Sequence, residues 1–520
     1  MSIFSYSSVS FTTHEISLNA DAIVCFVGEN SSGKSSALKS LRYPHGTSKT
    51  LSHVVNCTTQ ITHEDRNSEE IKKYLRFEND DKITNLSSNG GVSGARVVSG
   101  FLEGDGPVDG SISTAFIAEL NLTNRLSSIA PSPLPTTGSH RPITPMQWMV
   151  RFPEFETELS ALSEDLFGFE VSICAGAVQN MTLHLGDRID HTKFGGNRNQ
   201  EYFNEIAKLP EISEQGDGVK CALGLIACCV SRSAEVYIID EPDLYLHPPQ
   251  AYEIGRTLAE ILKDKQLYIA THSSRFIQGL AAAASERLII VRLKRDGSSA
   301  DAHIVDNTVF ADVKADPILK FTNILEGFFH SQIVLCEDEA DCLFYRATAN
   351  RTLGDRAFRN TLWLGVNGKS AFKKTADIAR RMKVPVTIIA DFDLLRDSND
   401  ILPILHAQGV ETSRFMNEIS WLNQIVTNDA KVNWSFLKEN GVRAFSHNAE
   451  AYTRVEKLLE DLNACGIIVN RYGEVEHLRE PKLAKKGVEC IGAMLAENLE
   501  GEVAYDNLRK FWDELKPQAL

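Results

Sequence analysis

The sequence reads as an α/β protein made of two units, the second with its own parallel sheet. Three observations point there. An apolar run, Ala22–Val27, feeds directly into a glycine-rich loop. Two later apolar runs, EVYIID and QLYIAT, end at Asp240 and Thr271, as buried strands do when they deliver polar residues to a sheet edge. Beyond residue 330 the pattern alternates strand QIVLC, helix, strand TLWLGV, helix, strand VTIIAD, the order that builds a parallel sheet.

The chain has 520 residues, more than one ordinary domain, and 43% of them are hydrophobic, enough for substantial cores. No stretch approaches the ~18 consecutive apolar residues of a membrane span. The opening MSIFSYSSVSF lacks the basic flank and apolar core of a secretory signal. Ten cysteines are scattered without a C-x-x-C pair, which argues against a disulfide framework or zinc site and fits a reduced, cytoplasmic setting. A net charge of −15 argues against a surface coated with nonspecific DNA affinity, leaves room for a local basic channel, and fits carboxylates gathered around metal ions.

The first half opens strand, strand, glycine loop, with a helix after Ser36 to about Leu41. Residues 43–145 are poorer in pattern and include the turn-rich runs NLSSNGGVSG and SSIAPSPLPTTGSH, so they read as an insertion. Regular structure resumes with a helix over Thr157–Leu166, a strand over Phe169–Ile173, an apolar helix over Val219–Val230, and a closing strand pair, RLIIVRL and DAHIVD. The expected domains are 1–325 and 326–520, the second with helical additions.

Gly28-Glu-Asn-Ser-Ser-Gly33-Lys34-Ser35 fits G-x-x-x-x-G-K-[ST] at every fixed position. Backbone N–H groups around Gly28, Asn30, Ser31 and Gly33, continuing to Ser36, would wrap phosphate oxygens. Lys34 would bring a point charge to them, and Ser35 would ligate Mg²⁺. The strand ending in Asp240-Glu241 supplies a carboxylate pair: Asp240 for Mg²⁺, Glu241 to polarise the attacking water. His272, at the next strand end, is placed to contact a γ-phosphate. Ser213-Glu-Gln-Gly216-Asp-Gly218 lies 27 residues ahead of Asp240 (240 − 213) and before the apolar helix. There its N–H groups could face a phosphate.

The second half carries an acidic set. Glu337 ends the strand QIVLC, and Asp341 follows four residues later at a helix start. Asp391 and Asp393 end the strand VTIIA, where alternation would give them a common face. If the two strands are parallel neighbours, all four acids meet at their C-terminal ends, where α/β sheets place sites. Such a cluster needs cations, and hard oxygen ligands suit Mg²⁺ or Mn²⁺. Asn367-Gly368-Lys369-Ser370 fails as a second phosphate loop, because Trp363 stands where the first glycine belongs.

Taken together, GENSSGKSS, IIDEP and ATHSS resemble the phosphate loop, acidic strand and histidine switch of ABC-type ATPases, and SEQGDG sits where their signature loop belongs, without its usual serine-glycine-glycine-glutamine form. The glutamate, the Glu-x-x-x-Asp spacing and the Asp-x-Asp resemble a Toprim domain. In this order the two halves are similar to OLD (overcoming lysogenization defect) family nucleases, an ABC-type P-loop ATPase followed by a Rossmann-like Toprim domain. Departing from that family, Asp338 rather than glycine follows the first glutamate. For the family's later acid and its lysine, Glu476, in Gly473-Glu474-Val475-Glu476, and Lys485 or Lys486 are the candidates. The resemblance implies an ATP-dependent, Mg²⁺- or Mn²⁺-dependent DNA endonuclease or nickase of anti-phage defence. It also implies ATPase heads joined head to tail in a homodimer or higher homo-oligomer, and an accessory defence protein or nucleic acid as a further partner. The competing expectation is a DNA-repair or nucleic-acid-sensing ATPase whose Toprim-like domain binds without cutting. A primase or topoisomerase fits less well, since neither a zinc ribbon nor a nucleophilic-tyrosine domain is recognisable.

Overall fold

The computed structural model describes residues 5–11, 15–42, 56–60, 76–79, 82–84, 92–93, 116–134, 142, 144–176, 180–194, 199–296, 299–316, 319, 323–353, 358–483, 487–497 and 502–519. The chain divides into two compact units, Met1–Phe310 and Ala311–Leu520.

The first unit is organised on a six-stranded sheet. From one edge the order is Ser299–Ile304, Leu288–Asp296, Ile23–Val27, Gln266–Ala270, Val236–Asp240 and Ile117–Leu120. All neighbours are parallel except the edge hairpin, which pairs Val291 with Ile304. The central strands are buried on both faces: every residue of Ile23–Val27 and Gln266–Ala270 is interior. This explains why they read as unbroken apolar runs rather than alternating ones. Val24, Phe26, Ile238, Tyr268, Val291 and Leu293 share one core with Ala37, Leu38 and Leu41 of the helix Lys34–Arg42.

Residues 117–128 correct the expectation of a continuous insertion. Ile117–Leu120 is an edge strand in parallel register with Val236–Ile239, and the helix Leu122–Ser128 follows it, capped by Asn121. The four-residue strand is too short to announce itself by period. The apolar helix begins at Asp217, two residues before expectation, and the strand near 170 runs Val171–Cys174.

The second unit carries a four-stranded, wholly parallel sheet in the order Thr361–Gly365, Gln332–Cys336, Val386–Ala390, Ile467–Val469. The two acid-ended strands are therefore direct neighbours, with Ile333 opposite Val386. Helices Glu339–Leu353 and Lys369–Arg381 connect the first three strands. A run of helices, from Ser398–Ala407 to Ala449–Ala464, separates the third from the fourth. Phe344, Tyr345, Ile389, Ile468, Phe511 and Trp512 belong to one buried cluster, in which the Trp512 indole N–H donates to Thr348 Oγ1 at 3.1 Å. No helix among the described residues is long and apolar enough to cross a membrane.

Candidate nucleotide-binding and acidic sites

The strand Ile23–Val27 delivers the loop that follows it into a backbone course only glycine permits. Gly28 has φ +140°, and a Cβ there would lie 2.3 Å from the Leu293 carbonyl oxygen. Gly33 has φ +103°. Lys34 is 6% exposed, and its Nζ donates at 2.8 Å to the carbonyls of both Gly28 and Glu29. Burial pulls its pKa down to about 8, against the opposing pull of Glu241, Asp240 and Glu29. The Ser32 hydroxyl is buried without a partner and lies 2.9 Å from where a Gly28 Cβ would be. A cradle that a methyl group would fill, an orphaned hydroxyl and a buried ammonium together fit a bound phosphate. Asn30, Ser31 and Ser35 are exposed at the rim, and Ser36 is half-buried.

Ser35 Oγ donates to Asp240 Oδ1 at 3.2 Å, joining motifs 205 residues apart. Two oxygen donors side by side suit a hard cation such as Mg²⁺. Burial raises the Asp240 pKa, and the Ser35 hydrogen bond opposes that rise. The next residue, Glu241, sits in the left-handed region at φ +48°, a conformation costing a non-glycine residue on the order of 1–3 kcal/mol. It is held there by its own N–H donating to the Ala270 carbonyl at 2.8 Å and by Arg125, whose two terminal nitrogens donate to the carbonyls of Asp240 and Glu241 at 3.1 Å each. His272 Nε2 lies 4.0 Å from Glu241 Oε1. Burial lowers the His272 pKa and nearby Lys34 lowers it further, opposed by Asp240, which favours the neutral ring. Asp243 accepts a 2.5 Å hydrogen bond from Thr271 Oγ1, tying the corner to the strand end that carries His272.

Ser213 lies in a short 3-10 turn, and Gly216 caps the helix Asp217–Val230 with no side-chain bond. Gly218 is glycine for a packing reason: its Cβ would lie 2.7 Å from the Tyr245 carbonyl oxygen. These three residues stand on different elements from the phosphate loop: the Gly216 carbonyl accepts from the Lys220 N–H at 3.2 Å, and Gly218 packs against the loop after Glu241.

In the second unit the structure brings Glu337, Asp341 and Asp391 together. Glu337 follows the strand Gln332–Cys336, and Asp341 lies in the first turn of the helix Glu339–Leu353. The two acids thus meet at the helix mouth. Asp338 makes that mouth by accepting from the N–H groups of Ala340 and Asp341 at 2.7 and 2.8 Å. Gly365 lets the neighbouring strand pass close beneath, since a Cβ there would lie 2.5 Å from Asp338 C and Glu339 N. The expected common face of Asp391 and Asp393 is corrected as well. The strand ends at Ala390, Asp391 caps a 3-10 turn, and Asp393 lies inside that turn. Strand alternation therefore does not govern them.

Electrostatics records the convergence. Burial pushes the Asp391 carboxyl well above the usual range, with Asp341, Glu337, Asp393 and Glu474 adding repulsion. Asp341 is raised to about 7 by burial, then by Asp338, Glu337 and Glu476. Glu337 is raised by burial, with Lys369 opposing and Asp393 reinforcing, and its Oε2 is buried without a partner. Carboxylates held above their ordinary pKa by burial and by one another fit a divalent cation. The side chains do not already form a closed ligand set: among the described residues no three His, Cys, Asp or Glu come together in a metal-holding arrangement. Asp393 instead pairs with Lys369 and, at 3.4 Å, with Lys438, which also reaches Glu474 at 3.1 Å. Glu476 Oε1 accepts from the Gly487 N–H at 3.0 Å. Lys485 and Lys486 lie outside the described residues.

Sequence reasoning missed Arg125, Ser32, Asp243 and Lys438, and set Lys369 aside with the failed second phosphate loop. Asp243 had a signal, as a third acid in DEPD. Lys369 had one in NGKS, where a helix start follows a glycine at φ +112°. Arg125 and Lys438 had none, since each comes from a seven-residue helix without a motif.

Two family descriptions match the chain. Residues 174–277 match "AAA domain, putative AbiEii toxin, Type IV TA system". Residues 328–393 match "Overcoming lysogenization defect protein-like, TOPRIM domain". No curated protein matches as a relative. Similar solved structures include an SmcHead bound to the C-winged helix domain of ScpA (13% identity, TM-score 0.36, 58% of this chain and 98% of that one). Others are the SMC head domain from Thermotoga maritima (14%, 0.30, 58% and 99%) and cbiO1 from Clostridium perfringens, part of the ABC transporter complex cbiONQ (12%, 0.29, 61% and 94%).

Proposed function

From the premise that this chain has the OLD-family architecture, an ATPase domain followed by an OLD-like Toprim domain, we propose that it is an ATP-regulated, divalent-metal-dependent DNA endonuclease or nickase. The observation that carries the reading is the approach of Glu337 and Asp391, at the C-terminal ends of adjacent parallel strands, to Asp341 in the first turn of the helix Glu339–Leu353, with the buried Glu337 Oε2 unpartnered. Mg²⁺ or Mn²⁺ bound there would act as Lewis acid toward a backbone phosphate. The protein's own share is to gather these carboxylates, whose burial-raised pKa a bound cation would bring down again. Lys369 and Lys438 hold Asp393 and Glu474 beside it and bring positive charge to where a phosphodiester would lie.

In the ATPase unit, Lys34 and the loop amides would receive the phosphates, and Ser35 with Asp240 would hold Mg²⁺. Glu241 would take the proton from the attacking water, and neutral His272 would orient it. The reading includes head-to-tail homodimerisation, a cytoplasmic setting in keeping with the nine free thiols among the described residues, and a role in anti-phage defence. The test is a supercoiled plasmid incubated with Mg²⁺ or Mn²⁺, with and without ATP. Metal-dependent nicking that Asp391→Asn abolishes supports the assignment, and nicking that survives it refutes the site. A second reading, a DNA-sensing ATPase whose Toprim domain binds without cutting, draws on Asp393 being neutralised by two lysines. Metal-independent DNA binding without cleavage would favour it.

A further inference from the structure

Arg125 is fully buried in the first unit, on the short helix Leu122–Ser128. Its terminal nitrogens reach the carbonyls of Asp240 and Glu241, at 3.1 Å each. A buried guanidinium is costly, and here desolvation lowers its pKa while Asp243, Asp240 and Glu241 oppose the shift. Fastening two carbonyls could be done by a neutral donor. A charge in this position also acts on the carboxylates those carbonyls carry.

The backbone of the same residue is fastened in the other direction. The helix Asp217–Val230 approaches so closely at Gly224 that a Cβ there would lie 2.2 Å from the Arg125 carbonyl oxygen. The Ser128 hydroxyl lies 2.6 Å from the Arg125 carbonyl and 3.1 Å from that of Gly224, bridging the two helices. At its N-terminus the same long helix touches the loop after Glu241, through Gly218 and the Tyr245 carbonyl. The helix behind the Ser213–Gly218 turn is thus attached to the Asp240–Glu241 corner at two points about two turns apart (224 − 218 residues). The corner it grips includes a glutamate at φ +48°, a conformation that persists only while its surroundings impose it.

We propose that Arg125 is a positioning residue that couples the helix behind the Ser213–Gly218 turn to the placement of Glu241. Whatever engages that turn then sets how fast bound ATP is hydrolysed, not how tightly it is held. In the head-to-tail dimer of the proposed function the engaging group is the nucleotide on a second copy, so Arg125 links the two ATP sites. The inference rests on the reading of Glu241 as the base.

The experiment uses the full chain and measures steady-state ATP hydrolysis together with the affinity for a fluorescent ATP analogue. The variants are Arg125→Gln, Arg125→Lys and Gly224→Ala, with Glu241→Gln as control. A misplaced base costs on the order of 10- to 100-fold in kcat. Arg125→Gln is expected to lose that much while KM and analogue affinity stay within about 3-fold, the mark of an interaction used after binding. Arg125→Lys, which keeps the charge, recovers part of the rate. Gly224→Ala, which keeps the arginine but pushes its backbone aside, reproduces the split and stands in should Arg125→Gln not fold. Full kcat in Arg125→Gln, or loss of affinity in step with kcat in both Arg125→Gln and Gly224→Ala, overturns the inference. Wild-type hydrolysis by Glu241→Gln would overturn the assignment of the base beneath it.

Discussion

At the scale of single residues, the two sites depend on charges displaced from their ordinary state by burial. Lys34, with a pKa brought down to about 8, carries its full charge below that pH and loses it above. An arriving phosphate raises the pKa again. Nucleotide binding should therefore take up protons near pH 8 and weaken as pH rises past it. Titration calorimetry in buffers of different ionisation enthalpy measures the uptake, and Lys34→Ala should abolish it. Asp341 works in the opposite direction. With its folded pKa raised to about 7 from 3.8, it is protonated in the native state below that pH. The stability it lends is complete below the unfolded value and is lost as pH rises toward 7. A divalent cation needs the ionised form, so Mn²⁺ affinity should rise as pH passes through 7, with protons released on binding. In Asp341→Asn that dependence should flatten, and an unchanged slope would remove Asp341 from the metal's surroundings.

At the scale of elements, close backbone approaches place the functional corners. Gly365→Ala would push on Asp338 and Glu339, the turn that aims Glu337 and Asp341. Overpacking of this kind costs roughly 1–3 kcal/mol. The expected outcome is a lower melting temperature for the second unit with loss of cleavage, while ATP hydrolysis is retained. The short helix Trp434–Asn440 brings Lys438 to Asp393 and Glu474, because Gly473 lets the Lys438 carbonyl pack where a Cβ would lie at 2.3 Å. Lys369→Met and Lys438→Met remove counter-charges from the acids. Each should lower the melting temperature without metal and raise Mn²⁺ affinity several-fold, read by calorimetry and by the metal-induced shift in melting. A variant that binds Mn²⁺ no better would mean the lysines do not compete with the cation.

Legibility in the sequence followed the same physics. Asp240, Glu337 and Asp391 were readable because each closes an apolar run long enough to be a buried strand. The edge strand Ile117–Leu120 was not, being short and set among turn-rich residues, and Arg125 was hidden with it. Lys438 stands 45 residues beyond Asp393 (438 − 393), and no spacing rule connects a helix residue to a turn across that distance. The common face expected for Asp391 and Asp393 failed because the strand stops at Ala390, three residues short of Asp393 (393 − 390).

At the scale of the whole molecule, the chain joins two α/β units that each gather oxygen donors at the ends of parallel strands, one around a phosphate loop and one around a carboxylate cluster. With a net charge of −15, the proposed DNA contact would have to come from local cations such as Lys369 and Lys438 rather than from an overall field. The decisive measurement is conversion of supercoiled plasmid to open-circle or linear DNA by the purified full chain in Mn²⁺ and Mg²⁺, beside Asp391→Asn and a chelator control. Conversion should occur with metal, cease with chelator, and be lost in Asp391→Asn while that variant still hydrolyses ATP. Equal conversion by wild type and Asp391→Asn, or the same conversion with the metal removed, would contradict a cleavage site built on these carboxylates.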